Sequence, residues 1–230
     1  MLPLREGSRP PLLVDVETAQ LPTQRTGLLH SCGPVGAPHG WMVLHGLSDR
    51  SANFIDTWMR LEHANSRRVL APEGLSRHIL DPVNDVTGAC WGTVEDRPID
   101  QRDAFAWLDQ CFSRLQNEAG HGARVLVGFS QGSLIAARWA VARSFVWDAV
   151  VLWGTAVPTN VDARELCKRS KSQKLHIVLG RRDRFATAER RQAVKDRLQG
   201  AGVSVEMLDF DGGHRMDDRT LAEVAARFER

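Results

Sequence analysis

The chain has 230 residues, a length that suits one sizeable domain or two small ones. With 43% hydrophobic and 25% charged residues it has the balance of an ordinary globular protein that buries a core without disulfide staples. A formal net charge of +2, with arginines scattered along the chain, leaves no basic footprint for nucleic acid, and no apolar run approaches the ~18 residues of a membrane span.

The N-terminus, MLPLREGSRPPLL, has neither a long apolar h-region nor a small-residue cleavage site. The four cysteines, Cys32, Cys90, Cys111 and Cys167, lie far apart and form no CxxC pair. The expectation is a cytoplasmic protein with reduced thiols that fill the core. From Leu12 to Thr18 the chain alternates, with Val14, Val16 and Thr18 on one face and Asp15 and Glu17 on the other. This is the pattern of a half-exposed strand, and Gly27 to Cys32 is placed to pair with it as an N-terminal antiparallel hairpin.

Beyond the stretch GPVGAPHG, short apolar runs alternate with helical patterns. The runs are WMVLHG, RRVLAPEG, RVLVGFS, WDAVVLWGT, KLHIVLG and VSVEMLDF. Continuous apolar runs of this length are the signature of parallel strands buried on both faces. The region from Pro72 to Arg97 reads as the longest irregular segment, folded over one rim. Phe105, Leu108, Phe112 and Leu115 fall at helical spacing, and a helix is expected from about Gly132 to Arg143. Leu221, Val224, Ala225 and Phe228 do the same near the C-terminus, where Thr220 and Glu223 have the spacing of a capping box. The expected fold is α/β: one domain over residues 1–230, with a mostly parallel sheet and helices on both faces. In such sheets ligands bind beyond the carboxyl ends of the strands.

Three of those ends carry reactive groups. RVLVGF delivers Ser130, KLHIVLG runs into Asp183, and VSVEMLDF runs into His214 behind two glycines that let the loop swing the ring back. Gly128-Phe129-Ser130-Gln131-Gly132 is a G-x-S-x-G motif, in which the serine occupies a strained strand-to-helix turn with its hydroxyl outward. The order Ser, Asp, His is that of the α/β-hydrolase triad. Asp183 is preferred over Asp209, Asp211 and Asp217 because it follows a buried strand and precedes a helix. The oxyanion donors expected are the N–H groups of Gln131 and of Leu47, the latter in the loop after WMVLHG. His45 reads as a structural hydrogen-bonding residue beneath that loop.

LHGLSDR, RVLAPEG, ACWGT, GFSQGSLIA, LGRRD and FDGGH occur in that order from Trp41 onward. Through them the chain resembles the phospholipase/carboxylesterase group of α/β-hydrolases, which includes acyl-protein thioesterases. The resemblance implies the α/β-hydrolase fold and a carboxylesterase-type serine hydrolase with Ser130, Asp183 and His214 as catalytic residues. Two departures stand out: Ser133 replaces the glycine usual after the nucleophile motif, and the loop at Trp91 continues Trp-Gly-Thr rather than in a Trp-Phe-Asp-like stretch.

Only Ala156 to Lys174 separates WDAVVLWGT from the next strand, too little for a large cap domain. Trp58, Trp91, Trp153, Phe185 and Met216 are the candidate substrate-pocket residues. The reaction expected is hydrolysis of short to medium acyl esters, with thioesters or lysophospholipids as further candidates. Neither cofactor nor metal is expected, since no H-E-x-x-H or similar spacing occurs. The expected partner is a small-molecule ester or acyl substrate, without nucleic acid or stable membrane insertion, and a homodimer is compatible with the sequence. An acyltransferase, a peptidase on the same three residues, and a non-catalytic ligand-binding member of the fold are the alternatives.

Overall fold

A computed structural model describes residues 17–93 and 97–229. In chain order the elements are β1 (Leu29–Cys32), β2 (His39–Leu44), α1 (Ser51–Phe54), α2 (Asp56–Met59), β3 (Arg67–Pro72), β4 (Ser76–Asp81) and β5 (Val86–Cys90). They continue as α3 (Arg97–Glu118), β6 (Arg124–Phe129), α4 (Gln131–Ala142), β7 (Ala149–Trp153), α5 (Ala163–Lys168), β8 (Leu175–Gly180), α6 (Ala188–Gly200), β9 (Val205–Phe210) and α7 (Asp218–Phe228).

Seven strands form one sheet in the order β1-β3-β2-β6-β7-β8-β9, parallel throughout except for β1 against β3. The six apolar runs are its six parallel strands. Side chains alternate between two buried faces. Met42, Leu44, Leu126 and Leu152 pack with α3 and α4, whereas Trp41, Val43, Val127 and Trp153 pack with α1, α2 and α7. Because both faces are covered, the strands carry no polar alternation. This is the α/β-hydrolase fold. Between β7 and β8 stands only the short α5, so no large cap is inserted there.

Three expectations need adjustment. The antiparallel edge is β1 on β3, with Leu29 opposite Pro72; of the proposed partner Leu12–Thr18, only Glu17 and Thr18 lie within the described residues, and they are not in a strand. The segment Pro72 to Arg97 is not irregular, since β4 and β5 pair there as a separate antiparallel hairpin. Its strands escape sequence reading because β4, SRHILD, alternates on a ribbon that buries little. The α7 cap is Asp217, whose carboxylate accepts from the Thr220 N–H and hydroxyl at 3.2 and 2.9 Å. Thr220 lies inside the helix and is buried, so it is not a capping residue.

The four cysteines are free, and three are buried. Burial pushes the Cys111 thiol up to about 12, which keeps it protonated and unreactive. Among the described residues no helix is long and apolar enough to cross a membrane.

Candidate active site

Ser130 stands between β6 and α4 at φ 53°, ψ −115°, a conformation that costs a non-glycine residue about 1–3 kcal/mol. Two glycines make the corner buildable. A Cβ on Gly128 would lie 2.4 Å from the Gly132 carbonyl oxygen, and one on Gly132 would lie 2.2 Å from the Leu44 oxygen. Strand and helix therefore cross at backbone distance. The Ser130 N–H donates to the Trp153 carbonyl at 2.7 Å, which pins the corner to the end of β7.

The neighbouring strands bring the other two groups. His214 Nε2 lies 2.9 Å from Ser130 Oγ, and its Nδ1 lies 2.7 Å from Asp183 Oδ2. An ionised carboxylate only accepts, so Nδ1 carries the ring proton and Nε2 is free to accept from the serine hydroxyl. Asp183 is buried, and its second oxygen accepts from the Phe185 N–H at 2.8 Å. The loops after β8 and β9 are stapled through their backbones: Arg181 N–H donates to Phe210 O and Arg182 N–H to Gly212 O, both at 2.8 Å. Of the glycines before His214, Gly212 serves proximity rather than swing, whereas a Cβ on Gly213 would meet nothing closer than 3.9 Å. Neither has a positive φ, and a Cβ on Gly212 would strike the Phe210 ring at 2.4 Å. Of the competing aspartates, Asp217 caps α7, Asp209 pairs with Arg191, and Asp211 pairs with Arg182.

The loop after β2 lies against the serine: a Cβ on Gly46 would be 3.4 Å from the Ser130 Cβ. Leu47 follows Gly46 and Gln131 follows Ser130 in the chain, and neither N–H donates to another described residue. His45 is fully buried beneath them. Its Nδ1 donates to the Gly46 carbonyl at 2.7 Å, and its Nε2 accepts from the Gly74 N–H at 2.9 Å. Burial lowers its pKa, against a smaller upward pull from the Gly46 carbonyl and the charges of Asp49 and Glu73, so it is a neutral strut. The β4–β5 hairpin braces the same loop, with Ser48 N–H on Ala89 O at 2.9 Å and Ala89 N–H on Asp49 O at 3.0 Å. Glu73 ties the hairpin down. Burial pushes its carboxyl up, but hydrogen bonds from Arg50 and Arg77 outweigh this and hold it below the usual range.

The five aromatic and thioether candidates separate. Trp58 and Trp153 are 1% and 0% exposed and belong to the core. Their sequence positions lie near the site, but strand and helix parity turns the side chains to the α7 face. Met216 packs against the same core cluster. Phe185 is 49% exposed and meets the His214 ring edge-on at 4.8 Å. It lines an apolar cleft of about 360 Å³ with Leu179, Ala186 and Val194. Trp91 donates its indole N–H to His45 O at 2.9 Å and lines a second cleft of about 360 Å³ beside Leu47 and Gln131.

Sequence reasoning does not reach the roles of two side chains. The Gln131 amide clamps the Trp91 loop, accepting from Trp91 N–H and donating to Gly92 O, each at 3.0 Å. Nothing in the sequence points to that use of a residue chosen for its backbone. The Ser133 hydroxyl is buried where β6 and β7 part, donating to Gly128 O and accepting from the Trp153 N–H at 3.0 Å. Its signal was the departure from glycine.

No family model and no curated protein matches the chain. Solved structures do. It is similar to acyl-protein thioesterase 2 of Zea mays, at 18% identity and TM-score 0.65, covering 88% of this chain and 97% of that one. It is also similar to esterase PE8, at 17% identity and TM-score 0.66 over 89% and 100%. A third is the carboxylesterase of Bacillus cereus, at 15% identity and TM-score 0.63 over 88% and 93%. At these identities the shared property is the fold.

Proposed function

We propose that the protein is a serine hydrolase that cleaves carboxylic esters of short to medium acyl chains, and thioesters by the same chemistry, through an acyl-enzyme on Ser130. The observation that carries this is the His214 ring held between Ser130 Oγ and Asp183 Oδ2 at 2.9 and 2.7 Å. Three residues from three loops meet in the tautomer that general-base chemistry requires. The names of the similar structures, two esterases and a thioesterase, agree with it.

In the proposed reaction Ser130 Oγ attacks the carbonyl carbon while its proton passes to His214 Nε2. Asp183 holds the resulting imidazolium. The carbonyl oxygen becomes an oxyanion that receives the N–H groups of Leu47 and Gln131, and losing one such donor costs about 2.7–4 kcal/mol. Collapse expels the alcohol or thiol, protonated by His214. Water then attacks the acyl-serine, giving its proton to the same nitrogen. The second collapse releases the carboxylic acid and returns the proton to Ser130 Oγ.

The test is hydrolysis of p-nitrophenyl esters together with labelling by a fluorophosphonate. Turnover and labelling at Ser130 are expected, with Ser130→Ala and His214→Ala each losing activity by several orders of magnitude. Full esterase activity in Ser130→Ala would overturn the mechanism.

A further inference from the structure

The cleft beside Leu47 and Gln131 follows one face of α4. Gln131, Leu134, Ile135 and Arg138 line it at positions i, i+3, i+4 and i+7. It therefore runs about 10 Å from the reacting corner to Arg138. Its apolar stretch ends in charge, because Arg97 of α3 lines it together with Arg138, and among the described residues none that line it is acidic.

These two arginines differ from most others in the chain. Arg50, Arg67, Arg68, Arg77, Arg114 and Arg143 all pair with carboxylates. Among the described residues Arg97 and Arg138 have no such partner. Arg138 Nη2 donates to Asn160 Oδ1 at 3.2 Å, while its Nε is buried with no acceptor. Burial, then the charge of Arg97, lower its proton affinity. Arg138 is half-buried and Arg97 beside it is exposed, so the cleft ends in two positive charges that an entering anion can join.

The side of the cleft says which part of a substrate would supply that anion. The leaving group must lie where His214 Nε2 can protonate it, the side marked by Phe185. The apolar cleft there shares no lining residue with the arginine cleft. Its own arginines donate to the protein, Arg190 to Phe185 O, Arg191 to Asp209 and Arg197 to Val157 O, and none of them buries a nitrogen without an acceptor as Arg138 does. The acyl group is left the side of Leu47 and Gln131.

We infer that the acyl group of the substrate carries a carboxylate at the far end of a short to medium chain, bound by Arg97 and Arg138, with an apolar leaving group opposite. This rests on the hydrolase reading of the same site. It would make the protein a hydrolase of dicarboxylic half-esters or half-thioesters.

The experiment compares the mono-p-nitrophenyl ester of adipic acid with p-nitrophenyl hexanoate, which matches it in chain length without the charge. The expected ratio of kcat/KM favours the adipate ester by about tenfold or more, and falls to near one in the Arg97→Gln/Arg138→Gln double variant. A wild-type ratio of one or below, or a preference that survives the double variant, overturns the inference while leaving the hydrolase reading intact. A second readout needs no turnover. Adipate itself should raise the melting temperature of the wild type and of Ser130→Ala but not of the double variant. No shift in any of them counts against the anion site even if both esters prove inert, whereas inert esters and no fluorophosphonate labelling remove the hydrolase reading alone.

Discussion

Alanine at Gly132 would place a methyl group 2.2 Å from the Leu44 carbonyl oxygen and 2.5 Å from that of His45, where ordinary contact begins near 3.4 Å. Neither oxygen can yield cheaply. Leu44 lies at the end of β2, flanked by β3 and β6, and the His45 oxygen accepts the Trp91 indole N–H at 2.9 Å. The start of α4 must therefore back away by about 1 Å, taking the Gln131 N–H with it. A displacement of that size at a reacting centre costs about 100-fold in rate, and overpacking of this kind costs about 1–3 kcal/mol of stability. Urea unfolding would report the second figure and kcat/KM on a p-nitrophenyl ester the first. Gly200→Ala is the control, since a Cβ there meets nothing within 4 Å. If Gly132→Ala matched that control in midpoint and rate, the close crossing of strand and helix would not be what demands glycine.

Ser130→Gly should abolish activity yet unfold at higher urea, by about 1 kcal/mol or more, because glycine takes φ 53° without strain; an unchanged midpoint would mean that the corner stores no strain. His176 is buried, and burial, then the charges of Arg227 and Lys174, lower its pKa from 6.5 to about 4. Unfolding takes up its proton between those values, so stability is complete above 6.5 and falls by about 3 kcal/mol as the pH drops to 4. His176→Phe should unfold with that much less acid dependence when the two stability–pH curves are subtracted. Glu229 accepts from Arg67 Nε and Nη2 at 2.6 and 2.7 Å, with both side chains buried. Glu229→Ala should cost about 3–5 kcal/mol in urea unfolding by stranding that cation.

What could be read from the sequence follows from what burial does to composition. The parallel strands stood out because both faces are covered, so each became an unbroken apolar run. Ser130, Asp183 and His214 stood out because each follows such a run directly. The β4–β5 hairpin did not, for a two-stranded ribbon buries too little to print a pattern on SRHILD. Trp58 and Trp153 were misplaced for a different reason. Sequence gives a residue's distance from a strand end, but the face that receives Trp153 depends on sheet parity, and that of Trp58 on which side of α2 meets the core. The cap of α7 went to Thr220 because Thr-x-x-Glu fits a capping box, while Asp217, three residues earlier, already satisfies the free N–H of Thr220.

The backbone staple between the loops after β8 and β9 divides the groups of the proposed reaction into two contiguous lengths of chain. One, ending with β7, holds Ser130, Leu47 and Gln131; the other, from α5 onward, holds Asp183 and His214 already joined. Thr159 and Asn160 are exposed between them. A chain cut there should yield two halves that are each silent toward a fluorophosphonate, yet regain labelling when β7 and β8 zip together on mixing. The molecule thus has the layout of a complementation reporter, with its output switched by whether two fragments meet.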